Sequence, residues 1–466
     1  MLLINCIKVS RLWRQIMTPI LWEMFDDQAM AHYKIPPHIV QAQSHHFRFL
    51  HVTCNESIPH PLKSQHLRRL VIANCEQLET FIDLIRRNSN SLTTVEWHVP
   101  DSANTPLKKE LIQYSLETLT KLESLNLSRW HHCSVGQITR IAVNNPGLKE
   151  LRLSETKNLE QSPGRHPSIN ITHLELNGQW EDNPGFIQLV KYCPKLESIM
   201  FWADASCPAR ALSKNLRENC PNLKSIESLN GDMAFCIGGA PTVKAVLQIV
   251  RASRGLARFD FPMNDLTVDI CDALLELHAD TLETIQLYLD GSDHNSLMGI
   301  NRILSSCPNL TSLAVNNDQD EWSPEDAGVL TAEPWNCPKL KTWEVTGFSL
   351  FDEDYDEEDE YSDEEDEIDG EELDEKTMHG LESRAARRAR IKANNAREEE
   401  TFKAFLDKLR SHGWTVKDGY PTHPANDWKF LNVVIESVMD RVFTMPEMNA
   451  ILLGRDFFFV KSAGAS

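Results

Sequence analysis

Long apolar runs are missing from this 466-residue chain. Nowhere do 18 apolar residues follow one another, so no segment is fit to cross a bilayer as a helix. Cysteine is sparse and odd in number, 11 residues with no C-x-x-C pair. That excludes a disulfide framework and the common zinc-finger spacings, and it predicts reduced, mostly buried thiols in a cytoplasmic or nuclear protein. An excess of positive charge is lacking too, with 47 Lys and Arg against 68 Asp and Glu. Nor is there a P-loop, a G-x-G-x-x-G, an H-E-x-x-H or a G-x-S-x-G elbow. The opening MLLINCIKVSRLWR is broken by Lys8, Arg11 and Arg14, unlike a signal peptide. No enzyme class, cofactor or metal is therefore expected. The nearest approach to a ligand set is His131-His132-Cys133, and adjacent histidines at a turn are ordinarily solvated.

What the chain does have is charge in one place. Residues 352–375 hold 18 of the 68 acidic residues, which leaves 50 acidic against 47 basic elsewhere. The remainder is close to neutral, which argues against a specific nucleic-acid partner. The tract itself has too few apolar residues to build a core and repels itself into an extended segment.

The middle of the chain repeats. HLRRLVIANC (66–75), KLESLNLSRW (121–130), GLKELRLSET (147–156), TLETIQLYLD (281–290) and NLTSLAVNND (309–318) share the pattern L-x-x-L-x-L. Across eleven copies the leading apolar residues are Leu67, Leu92, Leu122, Leu148, Ile171, Leu196, Leu223, Leu256, Leu282, Leu310 and Leu340. Successive leads stand 23 to 33 residues apart. The second and third apolar residues of each copy, two apart, point to one face of a short strand. Stretches with apolar residues three and four apart follow, such as 78–90 and 294–307, and read as helices. Several end in Cys-Pro, as in YCPKL (192–196), NCPNL (219–223), SCPNL (306–310) and NCPKL (336–340). Proline stops the helix, and the small apolar cysteine buries behind it.

These residues resemble the cysteine-containing subclass of leucine-rich repeats. The resemblance implies an α/β solenoid, with short parallel strands on a concave face and helices on a convex one. It also implies that the concave face binds a protein. The strand residues between the leucines are the candidates for that surface: Arg69, Glu96, His98, Arg152, Glu175, Trp202, Asp260, Tyr288 and Glu344. Trp202 is the natural anchor, unless it packs within the array.

Ahead of the repeats, Cys6, Val9, Trp13 and Ile16 fall on one helical face. Thr18 then reads as an N-cap and Pro19 as the first residue of a second short helix, ILWEMF, which would bring Trp22 and Phe25 back toward the first. Cys6, Val9, Arg11, Trp13, Pro19, Leu21 and Trp22, with Ser10 beside Arg11, resemble the second half of an F-box. An F-box followed by such repeats resembles the target-recognition subunits of SCF-type (Skp–cullin–F-box) ubiquitin ligases. That resemblance implies a non-enzymatic adaptor. It would dock on a Skp-type adaptor and the cullin ligase core through Cys6, Val9, Trp13, Ile16, Pro19, Leu21 and Trp22. A target protein would lie on the repeats. The competing expectation is a repeat scaffold or acidic, histone-chaperone-like protein, on a resemblance to acidic leucine-rich nuclear phosphoproteins; in that case the first helices only cap the solenoid.

The expected organisation is thus F-box-like helices over 1–30, a linker or cap over 31–60, and repeats over 61–350. An acidic then basic insertion covers 351–398, and terminal repeats with a C-terminal cap cover 399–466. Within the insertion, Ser362 stands before Asp363, Glu364 and Glu365, the setting of an acidophilic phosphorylation site. The basic residues from Arg384 to Arg397 are expected to pair loosely with the acidic tract, with RAARRARIK (384–392) as a nuclear import signal the alternative. Residues 428–443 read as an amphipathic helix, and Met448, Ile451 and Leu453 as one last strand.

Overall fold

A computed structural model describes residues 11–28, 35–53, 62–73, 78–100, 105–229, 239–289, 294–317, 329, 335–345, 407, 415–417 and 420–422. Thirteen short strands form one sheet, parallel throughout, with neighbours in chain order: β1 (Met24–Asp26), β2 (Phe49–Val52), β3 (Arg69–Ile72), β4 (Thr94–His98), β5 (Ser124–Ser128), β6 (Glu150–Ser154), β7 (His173–Leu176), β8 (Ser198–Phe201), β9 (Ser225–Ser228), β10 (Arg258–Met263), β11 (Thr284–Leu289), β12 (Ser312–Asn317) and β13 (Thr342–Val345). The sheet is open, and its helices run in the same order. They are α1 (Arg11–Leu21), α2 (Pro37–Gln43), α3 (Leu78–Arg87), α4 (Pro106–Glu117), α5 (Val135–Asn144), α6 (Gly185–Lys191), α7 (Ala209–Asn219), α8 (Val243–Val250), α9 (Val268–His278) and α10 (His294–Ser306). From α3 to α10 each helix packs on the next. This is the α/β leucine-rich-repeat solenoid expected from the repeat.

The spacing does the folding. Each of the eleven leading residues is buried, and its strand begins two residues later. The second apolar residue, as in Leu70, Leu125, Leu151 and Ile285, is buried in every rung, and the third in most. Burying one such side chain is worth roughly 1.5–3 kcal/mol. Ordering a residue costs about 1–2 kcal/mol in conformational entropy, so a unit of this size cannot stand alone. Stacked rungs share their apolar faces, and the core runs unbroken from Phe25 to Trp343.

The array begins earlier than the leucines suggest. Trp22-x-x-Phe25-x-Asp27 and Phe47-x-x-Leu50-x-Val52 follow the same spacing and make two further rungs, within the segments read as F-box-like helices and linker. The expected break at Thr18-Pro19 does not occur. Helix α1 runs through Pro19, and ILWEMF is no helix, because Met24–Asp26 pairs with Phe49–His51 as a strand. Proline sits in the last turn, where it disturbs few backbone bonds, and the Trp22 N–H closes that turn on the Thr18 carbonyl at 3.1 Å. At the third position of the first rung the fold buries Asp27. Its carboxylate accepts the Thr53 N–H at 2.9 Å and the Thr53 hydroxyl at 2.8 Å, so the end of the array is closed by hydrogen bonds.

Polar side chains tie helix ends to the preceding rung. Asn88 accepts the Leu67 N–H through Oδ1 at 2.8 Å and donates to the Ser64 and Leu84 carbonyls. At the lead of β3 the device is an amide; at the lead of β10 it is an imidazole. His278 accepts the Leu256 N–H through Nδ1 at 3.0 Å, and its Nε2 lies 3.0 Å from the Val250 carbonyl. These two contacts require the neutral ring with its proton on Nε2, and burial lowers the His278 pKa.

The cysteines of the Cys-Pro turns are buried as expected. Cys220 Sγ lies 3.5 Å from the Cys193 carbonyl oxygen, and both thiols are free and buried. Residues 415–417 and 420–422 form β14 and β15, an antiparallel pair separate from the main sheet. They add no rung to it, although they fall where terminal repeats were expected. Cys75, the acidic tract, the basic stretch and residues 428–456 lie outside the described residues.

Candidate functional site

Strand residues that alternate with the buried ones face away from the helices. In register they form two columns: Arg69, Thr94, Ser124, Glu150, His173, Ser198, Ser225 and Arg258, and beside them Val71, Glu96, Asn126, Arg152, Glu175, Met200, Glu227 and Asp260. Neighbouring rungs lie about 4.8 Å apart, so charges on adjacent strands meet. Arg69 reaches Glu96 through Nε at 3.0 Å and its terminal nitrogen at 2.5 Å. Arg152 Nε lies 3.6 Å from Glu175, and Arg258 Nε 3.3 Å from Glu227. An open polar groove of about 650 Å³ follows these columns over β3 to β6, with Arg69, Glu96, His98, Asn126 and Arg152 in its wall.

Four of the sequence candidates therefore share one place: Arg69, Glu96, His98 and Arg152. Glu175 joins them through its pair with Arg152. Trp202 is half-buried at the exit of β8, where its carbonyl accepts the Trp180 indole N–H at 2.6 Å. Asp260 and Tyr288 are only 7% and 5% exposed, so they differ from the expected contact surface. They belong to the six-residue strands β10 and β11, and Gln286 donates to the Tyr288 hydroxyl there. The side chain of Glu344, like Ser362, lies outside the described residues. Asn126, His173, Met200 and Glu227 were not picked from the sequence although they stand in the same columns. Counting two and four residues past each leading leucine finds them.

Over β11 and β12 the face changes character. Thr284, Gln286, Ser312 and Ala314 carry no charge, and Glu344 returns one to the second column at β13. The surface thus passes from a charged, self-paired stretch over β3 to β10 to a neutral one over β11 and β12.

At the amino end, Leu12, Ile16 and Ile20 recur every fourth residue on α1 and are 65%, 50% and 52% exposed. They form an apolar stripe along one face of the helix. Trp22, by contrast, packs inward on the core. Leu21 is half-buried, Pro19 is exposed, and the side chain of Trp13 lies outside the described residues, as do Cys6 and Val9. Of the helical face expected through Cys6, Val9, Trp13 and Ile16, only the Ile16 side chain lies within the described residues, and it is exposed beside Leu12 and Ile20.

His131-His132-Cys133 is a tight corner. The buried Lys109 ammonium donates to the His131 and His132 carbonyls, and the His131 ring accepts the Lys157 N–H at 3.2 Å. Burial lowers the Lys109 pKa, opposed by Cys133 and Glu160 nearby, and burial pushes the Cys133 thiol up to about 12. Among the described residues no three His, Cys, Asp or Glu side chains are placed to hold a metal ion, and no helix is long and apolar enough to cross a membrane.

No family model matches this chain, and no curated protein matches it. Among solved structures, a structural-genomics protein from Bacteroides fragilis aligns with 62% of this chain and 69% of its own, at 12% identity and a TM-score of 0.28. A likeness of that strength assigns neither family nor function to this chain.

Proposed function

We propose that this protein is a non-enzymatic target-recognition subunit of an SCF-type ubiquitin ligase, acting in the cytoplasm or nucleus. The observation that carries the reading is the exposed apolar stripe Leu12, Ile16 and Ile20 on α1, beside the residues that resemble an F-box. An apolar helix face of this kind is a docking element for a partner helix or groove. In this reading α1 seats on the Skp-type adaptor, and the adaptor joins the cullin core. A target protein lies on the strand face, held by the groove over β3 to β6. The chain contributes effective concentration rather than chemistry, by keeping the target near the charged ubiquitin carrier.

The test is co-purification with the Skp adaptor. Ile16→Glu with Ile20→Glu should abolish capture while leaving the thermal midpoint within about 3 °C, because both side chains are surface groups. Undiminished capture by that folded variant would reject the reading. A second reading, a repeat scaffold or acidic chaperone-like protein without ubiquitin linkage, is favoured by Trp22. That residue fills a core position of the first rung, as an end cap would.

A further inference from the structure

A second cleft lies on the edge of the solenoid where helices end and strands begin. It has a volume of about 610 Å³ and sits between the carboxyl ends of α7, α8 and α9. Arg217 comes from the last turn of α7, Arg251 is the C-cap of α8, and Arg254 follows in the turn to β10. All three are exposed, and none forms an ion pair or a side-chain hydrogen bond. Ser253 lines the same cleft, and its hydroxyl is buried without a hydrogen-bond partner. One carboxylate, Glu276 of α9, stands among them.

Three cations around one opening repel one another, and a fold has no need to gather them. Cations at helix carboxyl ends do offset the helix dipole, but that effect needs one per helix and no cleft. The corresponding edge at α3 shows the ordinary arrangement. There Arg87 is spent internally, donating to Asp83 at 2.6 Å and to the Leu62 carbonyl at 2.6 Å. At α7 to α9 the guanidinium groups remain unspent. Guanidinium forks match the oxygen geometry of phosphate, and a dianion outweighs the single carboxylate of Glu276. The cleft is large enough for one phosphorylated side chain with its flanking backbone. The near-neutral balance of the chain outside its acidic tract gives no extended field for a nucleic-acid strand.

We propose that this cleft is a binding site for a phosphorylated residue of a peptide segment. Arg217, Arg251 and Arg254 hold the phosphate, and the Ser253 hydroxyl donates a further bond once its rotamer turns outward. The site lies off the strand face and off α1, so it is independent of the ubiquitin-ligase reading and stands if that reading fails.

Fluorescence anisotropy on the full chain tests it. The probes are short fluorescein-labelled degenerate peptides with a central phosphoserine, and the same peptides with serine. The phosphorylated pool should bind at least about tenfold tighter, and Arg251→Ala with Arg254→Ala should remove about tenfold, the worth of one charge-assisted hydrogen bond or more. Arg217→Glu should do the same from a different helix. Arg87→Ala should leave binding unchanged. Equal binding of both pools, or insensitivity of the phosphorylated pool to the arginine substitutions in variants with unchanged melting, would overturn the proposal. So would inorganic phosphate or single-stranded RNA competing as well as the phosphopeptide on a molar basis, since the occupant would then be a bare anion or a nucleic acid.

Discussion

The indole of Trp22 lies over the phenyl ring of Phe47, with centroids 6.3 Å apart and planes inclined by 23°. Phe47 in turn stacks on Phe25 at 4.8 Å. By strand register, Trp22 and Phe47 stand where Leu67 and Leu92 stand in later rungs. The amino end of the solenoid is therefore capped by aromatics in leucine slots. Trp22→Ala should cost about 2 kcal/mol, less than the roughly 3–5 kcal/mol of a fully buried tryptophan because one side remains open. Hydrogen exchange should show the loss confined to β1 and β2. Full protection of those amides in the variant would show that the stack is not part of the cap.

His278 makes stability depend on pH. Burial depresses its folded pKa, so the folded chain refuses a proton that the unfolded chain accepts below about pH 6.5. The stabilising share of the neutral ring is intact above that pH and is lost as pH falls toward the folded pKa. Asn88 makes the same bond to a leading leucine without titrating. His278→Asn should keep the bond and flatten part of the slope in urea titrations between pH 6.5 and 5. His46, also depressed by burial and by His45 and Arg48, accounts for a further share. An unchanged slope in His278→Asn would mean that the imidazole is not the sensor.

Two ion pairs of the strand face should differ in weight. Arg69–Glu96 is open to solvent, with side chains 53% and 25% exposed, and a double-substitution cycle should read about 0.5 kcal/mol. Glu227 is more enclosed and accepts from Ser225 Oγ at 2.6 Å as well as facing Arg258. Glu227→Ala should cost about 1–2 kcal/mol, because it strands a hydroxyl and a cation together. Denaturant titration in which Glu227→Ala cost less than the Arg69–Glu96 cycle reads would contradict this.

The buried thiols of the described residues should be inert in the folded chain. Burial raises Cys220 and Cys307 to about 12 and Cys271 and Cys337 to about 11, and it raises Cys193 as well. Only the thiolate reacts, so at pH 8 these residues should label with iodoacetamide several hundredfold more slowly than in denaturant. Peptide mass spectrometry would detect fast native labelling of any of them, and that would mean a looser core.

Much of this architecture was readable in advance, for a physical reason. A leucine followed at three and five residues by apolar side chains specifies a strand with one buried face, and repetition every few tens of residues specifies its neighbours. That logic located the leads from Leu67 to Leu340 and the strand that follows each one. It passed over the first two rungs, because aromatics and a buried aspartate satisfy the same geometry without matching the letters. It also placed Asp260 and Tyr288 on a contact surface, since alternation sets which side a residue faces but not how deeply its neighbours cover it.

Period and polarity along the chain thus determined the solenoid, its direction and its outward columns, because those depend on residues close in sequence. Depth and convergence were decided only by tertiary packing. Trp22 became a cap by lying on Phe47, Leu12, Ile16 and Ile20 were left bare on α1, and Arg217 met Arg251 and Arg254 across a turn of the array. The first and last of these relations join residues from different rungs, at distances set by how rungs stack, and the exposure of the α1 stripe depends on which neighbours cover that helix rather than on its four-residue spacing.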